Sequence, residues 1–243
     1  MKAVILAGGF ARRMGRLGIR TPKALLPIAG RPVIEHILER MQGLGIDKVF
    51  VSTNKRFEQE FSDWAAKTAA GLVIELVVEP AMEEGQKLGS IGGLQFLIEQ
   101  KSIEEDILVV NGDNLFGSGL EGFISFYKAK KAFTFGVYDT RSIDEAQKMG
   151  VVLSDQSGQV MDFEEKPENP KSTLVSTGIY LFPRETLPLI KQYTDEGNST
   201  DRMGDFLAWL MKRQALFSFR FDGIWFDIGS PETYGMAQML FKA

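Results

Sequence analysis

Through the first 138 residues, short and nearly unbroken apolar runs alternate with helical patterns. "AVILA" (3–7), "KVFVST" (48–53), "LVIELVV" (72–78) and "DILVVN" (106–111) read as strands. Runs this continuous suit strands buried on both faces, as in a parallel sheet covered by helices. "PVIEHILERMQGLG" (32–45) opens with proline in its first turn and closes on glycine, the two punctuation marks of a helix. Residues 57–70 and 90–100 read as further helices, the second weakened by glycines, and 120–130 as a helix leading into the strand "FTFGVY" (133–138).

Beyond about residue 138 the rhythm changes. "GVVLSDQSGQVMDFEEKP" (150–167) reads as two strands joined by a turn at 155–158, and "LVSTGIYLF" (174–182) as another strand. Residues 184–193 and 204–214 are helical in pattern and "LFSFRF" (216–221) is a strand. Ser230 is placed to cap a last helix with Pro231 at its first position. No repeat or linker interrupts the chain. The pattern predicts one α/β domain, a Rossmann-like, mostly parallel sheet flanked by helices with a small added β lobe.

Composition narrows the chemistry. With 243 residues, 44% hydrophobic, the chain has room for one large core. A net charge of −4 argues against a general electrostatic grip on nucleic acid or an anionic membrane, so any basic site is local. The absence of cysteine excludes disulfides, thiolate zinc sites and cysteine nucleophiles, and the single histidine, His36, leaves no multi-histidine metal site and is given no role. The N-terminal apolar run is too short for a signal peptide, and no stretch approaches the roughly 20 apolar residues of a membrane span, so a cytoplasmic location is expected.

The local basic site is "LAGGFARRMGRLGIRTPKALLP", from Leu6 to Pro27, directly after the first strand, with Arg12, Arg13, Arg16, Arg20 and Lys23. Ligands of open parallel sheets sit at the carboxyl ends of the strands. Glycines there let the backbone approach a ligand, free N–H groups cradle anions, and basic side chains add charge for phosphates. A dinucleotide fingerprint fails, since counting from Gly9 its later glycines would fall on Ala11 and Met14. A P-loop fails for want of a terminal Gly-Lys-Ser/Thr. A solvated basic loop without a ligand remains open on glycines and charges alone.

The longer stretch resembles the signature of the sugar-phosphate nucleotidylyltransferases, approximately A-G-G-x-G-T-R-(L/M)…P-K-x-x-x-P-x-x-G-(K/R)-P. This family of NDP-sugar pyrophosphorylases includes glucose-1-phosphate thymidylyltransferase and mannose-1-phosphate guanylyltransferase. Gly8, Gly9, Arg13, Pro22, Lys23, Pro27, Gly30 and Pro32 fall on the pattern, whereas Ala11 replaces a glycine and Arg12 the threonine. The resemblance runs from Leu6 to about Tyr234. It implies a reaction of a sugar-1-phosphate with a nucleoside triphosphate to give a nucleotide sugar and pyrophosphate, with Mg²⁺ as cofactor.

On this resemblance, Leu6, Ala7, Gly8, Gly9, Arg13 and Lys23 would bind the nucleotide, with Arg13, Lys23 and Asp113 catalytic. "VVNGDNLF" places Asp113 where the family has its metal aspartate, and "WFDIG" places Asp227 as the second ligand, although either residue alone also suits a turn or cap. "EEKP" resembles the family's E-K-P, with Glu165 on sugar hydroxyls and Lys166 on the sugar phosphate; by itself it is a solvated charge run. Gly150, Ser176 and Tyr180 fall on the family's sugar-contacting segments, with Ser176 where many members have asparagine or valine. "EPAMEEGQKLGSIGGL" resembles the base-binding segment, giving Glu79, Gly89 and Ser90. Glu79 stands where other members place glutamine. A carboxylate only accepts hydrogen bonds, so a base edge offering N–H groups, as in guanine or cytosine, is expected.

The division expected is a nucleotide-binding part over 1–138 and a part over 139–243 with the sugar site and second metal ligand. No C-terminal β-helix domain is expected, since only a short helix follows Asp227. Neither nucleic acid nor membrane is an expected partner, and assembly with copies of itself stays open. Two other readings share the pattern: a nucleotide-sugar-dependent glycosyltransferase, which has no need of a triphosphate loop, and a non-catalytic nucleotide- or sugar-sensing relative.

Overall fold

The computed structural model describes residues 1–15, 17–18, 21–68 and 71–242. Arg16 and Arg20 of the basic cluster, and Ala69 and Ala70 at the end of the helix expected over 57–70, lie outside the described residues. In chain order the strands are β1 (Lys2–Leu6), β2 (Pro27–Ile28), β3 (Arg31–Pro32), β4 (Lys48–Asn54), β5 (Val73–Glu79), β6 (Ile107–Asn111), β7 (Asn114–Phe116), β8 (Thr134–Asp139), β9 (Gly150–Ser154), β10 (Val160–Glu165), β11 (Leu174–Phe182), β12 (Phe217–Arg220) and β13 (Trp225–Asp227). The α-helices are α1 (Val33–Met41), α2 (Glu58–Ala65), α3 (Gly89–Lys101), α4 (Glu121–Lys130), α5 (Ile143–Ala146), α6 (Leu187–Asp195), α7 (Met203–Leu210) and α8 (Pro231–Leu240).

Nine strands form one sheet, along the path β10-β9-β11-β6-β1-β4-β5 with β8 and β12 joined through β11. The four expected early strands pair in parallel, β1 with β4 and β6 and β4 with β5, and β12 also runs parallel to β8. Their apolar residues alternate between two cores. Ala3, Ile5, Val49, Val51, Leu108 and Val110 pack on one face with residues of α1, α2, α4 and α8. Val4, Phe50, Ile107 and Val109 pack on the other with residues of α3, α6 and α7. Burial on both faces is why β1, β4 and β6 read as nearly unbroken apolar runs, whereas β5 at the sheet edge is only partly covered.

The added strands join the same sheet through β11. Its C-terminal half pairs antiparallel with β6, from Ile179↔Val110 to Phe182↔Ile107, while Val175 pairs with Val151 of β9 and β8 runs along both halves. The turn expected at 155–158 is present, with Asp155 Oδ1 accepting from Ser157 N (2.8 Å) and Gln159 N (2.9 Å). Ser230 caps α8 as expected, its Oγ accepting from Thr233 N at 3.2 Å, with Pro231 in the first position. His36 is buried, its Nε2 2.9 Å from the Ile28 carbonyl and its ring edge-on to Phe241, a structural role.

The short elements β2, β3, α5, β7 and β13 lie outside the sequence reading. The helix expected from Pro32 starts at Val33, because Pro32 is extended and pairs in the β2–β3 ladder. The residues after Asp113 form β7 instead of continuing as loop, paired antiparallel with β13 from Trp225↔Phe116 to Asp227↔Asn114. Trp225 Nε1 donates to Asn114 Oδ1 (2.7 Å) and Ile228 N to the Asp113 carbonyl (2.8 Å), tying the two short strands side by side. Trp225→Phe keeps the aromatic contact with Tyr138 (5.5 Å) but strips the partner from Asn114, which is 2% exposed. Urea unfolding of this variant is expected to show a loss of about 1–3 kcal/mol.

Candidate active site

The parallel strands end at a common edge: Leu6 is in register with Ser52 and Asn111, and Asn54 with Glu79. Beyond that edge the chain is still held by the sheet. Ala7 N donates to the Ser52 carbonyl and Gly112 N to the Leu6 carbonyl, both at 2.8 Å, and Asn54 Nδ2 donates to the Gly8 carbonyl at 3.0 Å. The opening loop and the Gly112–Asp113 turn are therefore fixed side by side.

A cavity of about 600 Å³ lies over this edge, lined by Leu6, Ala7, Gly8, Gly9, Arg13, Lys23, Glu79, Gly89, Ser90 and Asp113. A second, of about 220 Å³, is lined by Gly150, Glu165, Lys166, Ser176, Tyr180 and Asp227. All the residues expected at the site thus line one cavity or the other. The two meet at Arg13, Ser90 and Asn111, which line both. Arg12, in the threonine position of the family pattern, is exposed on the first.

Charge is concentrated at the junction. Lys23 Nζ donates to Asp113 Oδ2 at 2.8 Å, both side chains part-buried. Burial, with the negative charge of Asp113 beside it, pushes the Asp227 carboxyl up to about 6, against the opposing pull of Lys23, Arg13 and Lys166. Burial likewise raises Glu79, whose Oε1 accepts from Ser52 Oγ at 2.6 Å, and Glu165, which faces the charges of Lys166 and Arg202. Tyr180 is buried, and its phenol is raised by that burial.

The sequence reading missed Asn111 at the junction, and Lys87, Asp201 and Arg202. Lys87 Nζ pairs with Asp201 Oδ1 at 2.8 Å, Ser90 N donates to the Asp201 carbonyl (3.2 Å), Ile91 N to the Thr200 carbonyl (3.0 Å), and Thr200 Oγ1 to the Leu88 carbonyl (2.8 Å). These contacts clamp the starts of α3 and α7 together across more than 100 residues of sequence. Most of them use backbone groups, which leave no residue signature.

The position of Asp227 fixes the sign of a stability effect. A carboxyl with a folded-state value raised from 3.8 to about 6 contributes full stability below pH 3.8, progressively lost as the pH rises through 6. Asp227→Asn is therefore expected to raise the Tm of the EDTA-treated protein at pH 8 by a few degrees, roughly 2–4 °C per kcal/mol relieved. The gain shrinks as the pH falls toward 4.5, and melting curves across that range check it.

A profile of the family described as Nucleotidyl transferase matches residues 2–242. The chain is 27% identical over 231 residues to the bifunctional protein GlmU of Methanocaldococcus jannaschii, covering 95% of this chain and 52% of that protein. It is 31% identical over 245 residues to a UTP–glucose-1-phosphate uridylyltransferase of Synechocystis sp., covering 98% and 62%. The chain thus spans between about half and two-thirds of the length of these relatives. A Bacillus anthracis protein assigned as a glucose-1-phosphate thymidylyltransferase, solved in complex with sucrose, superposes with a TM-score of 0.86 at 25% identity, over 99% of this chain and 94% of that one. With a family profile spanning almost its whole length and a matching fold, this chain belongs to the Nucleotidyl transferase family.

Proposed function

We propose that the protein joins a sugar-1-phosphate to a nucleoside triphosphate, giving a nucleotide sugar and pyrophosphate, with Mg²⁺ as cofactor. The observation that carries this reading is the meeting of two cavities at Arg13, Ser90 and Asn111, with Asp113 lining the first and Asp227 the second. The family and the relatives' names support it.

In this reading the first cavity takes the triphosphate and the second the sugar phosphate. An oxygen of the sugar phosphate attacks the α-phosphorus, a new P–O bond forms, the α–β bond breaks, and pyrophosphate leaves. No general base is required, because the attacking phosphate is already ionised near neutral pH (second pKa about 6). Catalysis is then positioning and charge stabilisation. Arg13 would hold the triphosphate and the departing pyrophosphate. Lys23 would exchange Asp113 for the α-phosphate, and Lys166 would hold the sugar phosphate in line. Glu165 would accept from sugar hydroxyls, with Gly150, Ser176 and Tyr180 around the ring.

The donor set fits a divalent cation. Asp113 and Asp227 are hard oxygen ligands that repel one another. Among the described residues no group of three or more His, Asp or Glu side chains forms a complete metal site, so phosphate and water oxygens would fill the remaining positions. When bound, the cation would neutralise phosphate charge at the junction.

The base is proposed to meet Glu79, with Gly89 and Ser90 beside it. The Ser52 hydroxyl occupies Oε1, which leaves Oε2 to accept from an N–H edge. Guanine or cytosine satisfies that requirement.

The test is pyrophosphate release with Mg²⁺, crossing dTTP, UTP, GTP, CTP and ATP with a panel of hexose-1-phosphates. Release from one pairing, abolished by EDTA, is expected. Arg13→Ala and Asp113→Asn should each lower the rate by roughly 10²–10³. A folded Asp113→Asn protein with full activity would overturn its role at the metal. GTP or CTP should be preferred, and Glu79→Gln should erode that preference; an unchanged preference removes the role of Glu79. Nucleotide binding without release across the panel would favour the sensing relative, and transfer from a nucleotide sugar the glycosyltransferase.

A further inference from the structure

We propose that Gly204 in the first turn of α7 is a positioning residue for Glu165, and that the missing side chain is the seat of the carboxylate. Glycine inside a helix is less stable than alanine, so a buried helical glycine calls for something that excludes a methyl group. Here that something is Glu165. A Cβ built on Gly204 would fall inside 3.0 Å of Glu165 Oε2, a separation real Cβ atoms do not show, and 2.9 Å from its Cδ. A Cβ on Gly150 would lie 2.7 Å from the Phe163 ring and 3.1 Å from the same oxygen. The carboxylate thus lies where side chains at both glycines would crowd it.

Packing is the restraint because no polar bond supplies one. The Glu165 side chain makes no hydrogen bond or ion pair among the described residues, and only burial and the nearby charges of Lys166, Arg202 and Asp205 act on it. Both oxygens keep free lone pairs in a cavity wall, which suits a group that accepts from the hydroxyls of a polyol. The overlap created by alanine at 204 falls on the far end of a flexible side chain, not on backbone. The fold should therefore survive, and the carboxylate should be the part that moves.

The nucleotide side repeats the construction with an added bond. A Cβ on Gly93 of α3 would lie 2.7 Å from Glu79 Oε1, and one on Gly8 2.5 Å from it. There the Ser52 hydroxyl also holds the carboxylate. Gly93→Ala thus serves as the matched comparison on the other cavity.

The role of Gly204 rests on the sugar-side assignment of Glu165 made above, and the test separates the two. Without any ligand, Tm is measured for the parent, Gly204→Ala, Glu165→Ala and the double variant. Gly204→Ala should give no gain in the parent but a gain of roughly 2–4 °C once Glu165 is truncated. An equal gain in both backgrounds would overturn the proposal, whatever the substrate. With the hexose-1-phosphate of the panel that turns over fastest, Gly204→Ala should raise the sugar-phosphate KM roughly tenfold, the worth of one displaced hydrogen bond to a charged group. The nucleotide KM should hold. Gly93→Ala should do the reverse, and the shorter carboxylate of Glu165→Asp should recover part of the loss in the Gly204→Ala background. A sugar-phosphate KM raised by Glu165→Ala and untouched by Gly204→Ala sinks the positioning role. A KM untouched by both sinks the assignment of Glu165.

Discussion

Asp113 and Asp227 are like charges held near one another where burial weakens the solvent that would screen them, and much of the surrounding architecture answers to that constraint. The repulsion is imposed by backbone. The β7–β13 ladder puts Asp227 opposite Asn114, and the amide of Ile228 is bonded to the carbonyl of Asp113 itself. Neither residue can retreat without breaking a ladder that Trp225 and Asn114 fasten from the side. What the fold supplies instead is compensation: Lys23 lies on Asp113, and Asp227 holds its proton to a higher pH than an ordinary aspartate. Such a pair costs folding stability wherever both carboxyls are ionised.

The same logic extends along the sheet edge. Glu79 at the end of β5 and Glu165 at the end of β10 are also partly desolvated carboxylates, each facing a cavity. The helices that cover them, α3 and α7, start at one place, where Lys87 and the Leu88 to Ile91 backbone meet Thr200 and Asp201. One bonded pair of helix starts therefore backs both carboxylates.

Where sequence and structure agree, burial is the cause. β1, β4 and β6 were legible because both their faces are covered, so their central positions are apolar, and β5, at the sheet edge, because most of its positions still are; α8 was legible because Ser230 and Pro231 state its start. The opening loop, Asp113, Asp227, Glu165 and Lys166 were legible as residues of the cavity walls because they sit in motifs of fixed spacing. β7 and β13 were not, since three residues are too few to display a period of two and their partner lies over 100 residues away. Asp201 and Arg202 were hidden for a related reason. They belong to a loop whose place is set by carbonyls and by the close approach of Gly89, whose Cβ would lie 2.5 Å from the Cα of Asp201.

Lys166 shows how far the backbone is bent to serve the second cavity. It leaves β10 with φ at +51°, in the left-handed region, and it precedes Pro167. A non-glycine residue pays to sit there, and a following proline narrows the choice further, so the strain is of order 1–3 kcal/mol. It persists because both sides are fixed: Glu165 is in register with Gly150, and Lys166 N donates to the Met149 carbonyl at 2.9 Å. Glycine would relieve the strain at no cost to those bonds. That a lysine occupies the position places the reason in its side chain, whose charge acts on both Glu165 and Asp227 from the turn. The strained turn redirects the chain immediately after Glu165, so one carboxylate and one ammonium from adjacent residues line the same cavity, which a strand continuing in regular alternation would send to opposite faces.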